Sequence, residues 1–156
     1  MAWADFRHRM PLRVRWAEVD RQGVVFNAHY LLYADVCVTE YWRAIGMRYP
    51  EDFEPLASDL YVRKATVDFR TAAVYDDELE LCGRIARIGT SSLQFTVEMF
   101  RRKQADQADV PLATVDLVYV YVDARSKAPR PVDEALRAKI RAFEVKAPDE
   151  AIGAGR

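Results

Sequence analysis

The segment from residue 28 to residue 46 constrains the fold more than any other. Tyr30, Tyr33 and Ala34, Cys37, Tyr41, then Ala44 and Ile45 recur at three- and four-residue intervals, the spacing of one face of an α-helix. Gly46 stands where a helix C-terminus favours a left-handed residue. The spacing predicts a helix of about 17 residues, rich in aromatic side chains and poor in charge. A helix that apolar is buried on most sides. The rest of the chain must therefore wrap it.

Beyond the helix the chain reads as strand. Ala65, Val67 and Phe69 alternate with polar residues, as do Leu79, Leu81 and, after Gly83, Ile85; Leu93, Phe95, Val97 and Met99 give the cleanest alternation. Asp76-Asp77, Gly89-Thr90 and the polar run 103–109 separate these segments, with the residue types that break strands. Val115 to Val122 is apolar on both faces, which predicts an interior strand covered on both sides. Before the helix, Leu12, Val14 and Trp16 alternate with Arg13 and Arg15, predicting a first strand that a polar, Gly-containing turn at 17–23 ends. Near the C-terminus, Asp133 is placed as an N-cap for a short helix carrying Leu136, Ile140 and Phe143. The order is strand, long apolar helix, four strands, short helix. It predicts one α+β domain over residues 1–145, a five-stranded antiparallel sheet on a long buried helix, and a flexible tail at 146–156.

Composition removes whole classes of function. The 23 basic and 24 acidic side chains leave a formal charge of −1, against the basic excess of a nucleic-acid binder. No stretch approaches the length of a membrane span, and the charged N-terminus is unlike a signal peptide. No nucleic-acid or membrane partner is expected, and the location expected is cytoplasmic. Two cysteines, Cys37 and Cys82, and two histidines, His8 and His29, make no disulfide framework and match no zinc finger spacing. No metal site is expected.

Several catalytic signatures are absent. Gly89-Thr-Ser-Ser-Leu93 lacks the second glycine of a nucleophile elbow, and neither nucleotide-binding glycine loop occurs. A Cys37–His29 dyad fails on geometry, because eight helical residues rise ~12 Å. Cys37 reads as a small core residue. The informative segment is Trp16-Ala-Glu-Val-Asp20-Arg-Gln-Gly23-Val-Val-Phe-Asn27-Ala-His29-Tyr30. It sets a carboxylate, Asp20, in a turn just ahead of a helix whose first N–H groups have no intrahelical partner. Gly23 lets the backbone bend or approach a ligand closely. A carboxylate beside donors for a developing oxyanion suits acyl transfer. An aspartate in a turn and Asn27 as an N-cap also meet ordinary structural needs.

The pattern Asp20-x-x-Gly23…Asn27-x-x-Tyr30, followed by an aromatic-rich helix, resembles the hot-dog-fold acyl-CoA thioesterases of the 4-hydroxybenzoyl-CoA thioesterase type. Val67-Asp-Phe-Arg70 entering Asp76-Asp-Glu-Leu79, and Gly89-Thr-Ser-Ser92 opening a strand, fit as well. The resemblance covers roughly residues 10–123 and implies a hot-dog fold and hydrolysis of an acyl- or aryl-CoA to acid and CoA. It implies that Asp20 is the nucleophile or the general base, that the Asn27 backbone N–H polarises the carbonyl, and that Gly23 is the turn glycine. Tyr30 matches a helix aromatic, and His29, Ser91 and Ser92 are candidate substrate contacts. Many relatives carry Asp where this chain has Glu18, and some carry His where it has Asn27.

No cofactor is implied, since coenzyme A is part of the substrate. Arg101-Arg102-Lys103 reads as a solvated strand end or as a phosphate contact. Two alternatives differ in class: a hot-dog domain that binds an acyl thioester without turning it over, and a hot-dog dehydratase or hydratase. The resemblance further implies a homodimer or homotetramer with active sites shared between subunits, Leu60–Phe69 being the candidate edge. The competing arrangement is a monomer whose pocket is closed by its own C-terminal helix.

Overall fold

The computed structural model describes residues 3–103 and 109–150. Five strands form one antiparallel sheet: β1 (His8–Arg13), β2 (Ser58–Phe69), β3 (Glu78–Ile88), β4 (Ser92–Arg101) and β5 (Val110–Asp123), in the spatial order β1-β3-β4-β5-β2. Helix α1 (Ala28–Ala44) is inserted between β1 and β2 in sequence, and α2 (Glu134–Phe143) comes after β5. This is the expected α+β hot-dog plan.

Period-2 alternation sends Leu93, Phe95, Val97 and Met99 of β4 to the face that meets α1, where all are buried. The helix answers with Tyr33, Ala34, Cys37 and Tyr41, four positions on one face. Tyr41 packs edge-on against Phe95 with ring centroids 4.8 Å apart. Backbone approach is tightest at Gly83 of β3, where an added Cβ would lie 2.8 Å from Cys37 Sγ. The helix ends as expected: Gly46 adopts φ +78° and its N–H donates to the Arg43 carbonyl.

Four expectations need correction. The first strand is His8–Arg13, earlier than the Leu12–Trp16 alternation suggested; Trp16 is 74% exposed and begins a 3-10 turn, Trp16–Glu18. That turn forms because Glu18 N–H donates to the Arg15 carbonyl and the Glu18 carboxylate accepts the Arg15 N–H, closing the chain before it can pair with β3. Helix α1 is not covered all round, since Leu31, Leu32 and Val36 are exposed. Strand β5 is interior, yet only one face is fully buried; Asp116, Val118 and Val120 on the other are half-buried. Finally, residues 146–150 of the expected tail are held: Asp149 bridges Arg87, its N–H donating to the Ala86 carbonyl and its own carbonyl accepting the Ile88 N–H. This segment continues the sheet edge where β1 stops. Residues 151–156, and most of the polar run 103–109, lie outside the described residues.

Helix α2 closes the end of the sheet that carries the β3–β4 turn. Arg137 donates to the Gly89 and Thr90 carbonyls, and Phe143 meets Tyr41 edge-on at 5.3 Å. Asp133 occupies the N-cap position without capping. Its carboxylate instead accepts from Arg130, at 3.0 and 3.2 Å, and from the Tyr121 hydroxyl. Just past α2, buried Glu144 accepts from the Tyr41 hydroxyl at 2.7 Å and from the Ile85 N–H at 2.8 Å, tying the C-terminal segment to α1 and β3.

Candidate active site

The segment 19–25 folds as a small hairpin laid beside residues 73–74. Val19 bridges Val25, Val24 bridges Val74, and Val25 N–H donates to the Ala73 carbonyl at 2.8 Å. Asp20 sits at its turn. Asp20 N–H donates to the Val24 carbonyl, Gly23 N–H to the Asp20 carbonyl, and Gln22 N–H to Asp20 Oδ1 at 2.8 Å. Gly23 has φ +78°, a conformation that side chains disfavour. One carboxylate oxygen is thus held by the turn, and Oδ2 carries no bond among the described residues.

Helix α1 begins immediately after the hairpin. His29 N–H donates to the Phe26 carbonyl and Tyr30 N–H to the Asn27 carbonyl. The N–H groups of Asn27 and Ala28 have no partner among the described residues. Asn27 is itself helical, φ −53° and ψ −36°, and its side chain caps nothing, so the N-cap alternative for it is not realised. Free N–H groups at a helix start carry the positive end of the helix dipole.

Asp20, Asn27 and Tyr30 share one cavity of about 350 Å³ with Phe69, Arg70 and Thr71. Tyr30 is buried; its hydroxyl accepts the Ala73 N–H at 3.0 Å and its ring meets Phe69 edge-on at 5.2 Å. Arg70 ends the Val67-Asp-Phe-Arg70 stretch noted in the sequence, whereas Thr71 and Ala72 carry no motif, and only the loop's position after β2 brings them here. Gly23 shapes the turn without lining the cavity, and His29 stacks edge-on with Phe26 at the rim of the helix. Ser91 and Ser92 are elsewhere within one subunit. Ser92 opens β4 opposite Val120, whereas the cavity adjoins the Phe69–Ala113–Met99 row, seven residues or ~23 Å along the strand.

Below the hairpin lies Glu18, 3% exposed. Its carboxylate accepts the Arg15 N–H at 2.7 Å and Arg15 Nη2 at 2.9 Å, while its carbonyl accepts the Phe26 N–H at 2.9 Å. Burial opposes its charge, but the bonds from Arg15 outweigh that and hold the carboxyl below its usual range. One residue therefore joins the start of the hairpin to the start of α1.

Other candidates have structural duties. Arg101 donates to Asp77 at 2.7 Å and to the Ala72 carbonyl at 2.6 Å, bracing the loop behind the cavity. Cys37 is fully buried. His8 faces its backbone, with Nε2 3.1 Å from the Cys37 carbonyl. Neither histidine lines the Asp20 cavity within one subunit. Helix α2 contributes nothing to the lining of this cavity either.

Comparison with known proteins converges on one family. The sequence profile of the thioesterase superfamily matches residues 22–108, more than half of the chain and starting two residues after Asp20. The chain is similar to an acyl-CoA thioesterase, YbgC, of Haemophilus influenzae, 28% identical over 108 residues that cover 69% of this chain and 79% of the relative. Among solved structures it resembles a hypothetical protein of Thermus thermophilus, with TM-score 0.76 and 20% identity over 88% of this chain and all of that one. It also resembles a 1,4-dihydroxy-2-naphthoyl-CoA thioesterase of Synechocystis, with TM-score 0.75 and 16% identity over 85% and 94% of the two chains. With a hot-dog sheet wrapped on α1 and a profile match spanning that helix, the chain belongs to the thioesterase superfamily and is a thioester hydrolase.

Proposed function

We propose that the protein is an acyl-CoA thioesterase in which Asp20 and the N-terminus of α1 act together on the thioester. The observation that carries this reading is one cavity holding a carboxylate oxygen and a helix start whose N–H groups have no partner among the described residues. The thioester carbonyl oxygen accepts from Asn27 N–H, so charge that develops there meets a donor already in position. Asp20 then takes the proton of an attacking water, or attacks the carbonyl carbon itself. In the first route Asp20 passes that proton to the departing sulfur as the C–S bond breaks, releasing the acid and the CoA thiol; in the second the C–S bond breaks to leave an Asp20 acyl anhydride and a thiolate that takes a proton from water, and a second water hydrolyses the anhydride to release the acid and restore Asp20. The curated YbgC relatives support CoA as the carrier.

Asp20→Asn tests the assignment. General-base help is worth ~10²–10⁴-fold, so turnover of a panel of acyl-CoAs should fall at least ~100-fold while the melting temperature stays near wild type. Equal turnover would remove Asp20 from the mechanism.

The same reading includes a homo-oligomer formed along β2. That strand is outermost in the sheet and twelve residues long, with Tyr61, Val62 and Phe69 exposed, and an edge of that kind invites strand pairing. The exposed Leu31, Leu32 and Val36 of α1 add apolar surface for a second copy. In a dimer paired antiparallel through β2, the Phe69 end of one strand adjoins the Leu60 end of the other, completing each cavity across the interface. Light scattering checks this: an active species at the chain mass of 17.9 kDa would exclude a shared site. Buried free thiols at Cys37 and Cys82 accord with a cytoplasmic location. No helix among the described residues is long and apolar enough to cross a membrane.

A further inference from the structure

Near the Asp20 hairpin, one buried polar group is left over. The Tyr33 hydroxyl is shut away from solvent and has no hydrogen-bond partner among the described residues. Native interiors leave few such groups, because an unpaired buried donor is costly. Tyr33 belongs to α1, is 1% exposed, and lies one turn beyond Tyr30, whose ring lines the Asp20 cavity; the two ring centroids are 6.1 Å apart.

The carboxylate beside this hydroxyl is that of Glu18, itself 3% exposed. Burial first, and the Glu18 carboxylate next, push the phenol above its ordinary range, so it keeps its proton and remains a donor. Arg15 and Tyr33 are the two groups that favour the Glu18 charge, and they differ in firmness. The Arg15 side chain is 74% exposed and can exchange its 2.9 Å bond for water, whereas the Tyr33 ring is fixed in the core with the rest of α1. Glu18 stands two residues before Asp20, and its carbonyl accepts the Phe26 N–H at the entry to α1. A bond from Tyr33 to Glu18 would refer the Asp20 turn directly to the helix whose first N–H groups open the same cavity. In the resting structure that bond is not closed.

We propose that Tyr33 is a positioning residue of the thioesterase: as Asp20 engages the thioester, the Tyr33 hydroxyl donates to the Glu18 carboxylate and fixes the Asp20 turn against the N-terminus of α1. The proposal rests on the thioesterase reading and adds to it a residue that acts through Glu18. An interaction completed only as the reaction proceeds raises turnover without tightening substrate binding.

Tyr33→Phe tests this, since it keeps the ring and removes only the hydroxyl. A hydroxyl that makes no bond in the resting protein contributes no hydrogen bond to its stability, so the melting temperature should stay within about 2 °C of wild type or rise. For the acyl-CoAs that wild type hydrolyses, kcat should nevertheless fall about 10-fold while KM changes less than about 2-fold. The double variant Glu18→Gln/Tyr33→Phe should lose about 10-fold in kcat, as each single variant does, and not about 100-fold, because both changes break one joint. Carbon-13 NMR of the Glu18 carboxyl reads the contact without turnover: its titration midpoint should rise in Tyr33→Phe, since a donor to the charged form has been removed. Unchanged kcat in Tyr33→Phe overturns the proposal, as does a loss confined to KM. Losses that multiply in the double variant, or an unmoved Glu18 midpoint, overturn it equally. If wild type hydrolyses no thioester, the thioesterase reading fails instead, and the NMR midpoint still decides whether Tyr33 serves Glu18.

Discussion

Replacing Gly83 with alanine tests how closely the helix is held against the sheet. A Cβ at this position would stand 2.8 Å from Cys37 Sγ, 3.0 Å from Phe95 Cε1 and 3.4 Å from His8 Cδ2. Ordinary contact begins near 3.4 Å, so the sulfur must retreat by at least 0.6 Å (3.4 − 2.8) and the ring by at least 0.4 Å (3.4 − 3.0). Neither has free room: Cys37 is fully buried on α1, and α1 is tied at both ends, by the Tyr30 hydroxyl to Ala73 and by the Tyr41 hydroxyl to Glu144. Overpacking a dense core costs typically ~1–3 kcal/mol. For a chain of this size each kcal/mol moves the midpoint by about 2–4 °C. The melting temperature of Gly83→Ala should therefore fall by roughly 2–12 °C. Cys37→Ala removes the first clashing atom, so the double variant should be more stable than the sum of the single losses by about 1 kcal/mol or more, measured as a double-mutant cycle in urea. An unchanged melting temperature in Gly83→Ala, or strict additivity in the cycle, would refute the packing argument.

Glu18→Gln removes the charge that holds Arg15 while keeping the shape; because Glu18 positions the Asp20 hairpin on α1, kcat should drop about 10-fold with KM little changed, and a loss confined to KM would contradict it. Tyr30→Phe leaves the Ala73 N–H without its acceptor and should destabilise the protein by about 1–3 kcal/mol, read from chemical denaturation; no loss would mean the contact is not formed in solution. His8 supplies a pH dependence. Burial holds its imidazole below the ordinary 6.5, against the upward pull of its bond to Cys37 and of Glu40. The unfolded chain thus binds the proton more readily, so His8 contributes stability above the unfolded value that is lost as pH falls through the folded one. Between about pH 7 and about pH 5, wild type should lose more melting temperature than His8→Asn, and parallel profiles would discount the histidine.

For the enzyme, these contacts share a purpose. On the proposed mechanism the carboxylate and the helix N-terminus must keep a fixed separation, since misplacement of a reacting group by an ångström is costly in rate. Here both are carried by one continuous stretch of chain, braced below by Glu18 and beside by the loop that Arg101 holds.

The sequence alone determined the parts whose signal is local. The three- and four-residue recurrence from Tyr30 to Ile45 specified α1 and its end at Gly46, because a helix turns every 3.6 residues whatever surrounds it. Alternation specified β3, β4 and the inward half of β5, and the spacing Asp20-x-x-Gly23…Asn27 specified a carboxylate turn leading into a helix start, since turn and cap chemistry act over a few residues. Tertiary structure decided what depends on partners distant in sequence. Trp16 fits a strand by alternation, but the Arg15–Glu18 bonds close a turn before a sheet partner is met. Residues 146–150 look like tail by composition, yet the vacant edge of β3 beyond β1 offers them backbone partners. Ser91 and Ser92 suit a site by residue type, and the register of β4 carries them to the far end of the sheet. Thr71 bears no motif at all. Only the loop's place after β2 brings it to the Asp20 cavity, because a side chain's surroundings are fixed by which strands pair, and that is settled by the whole chain at once.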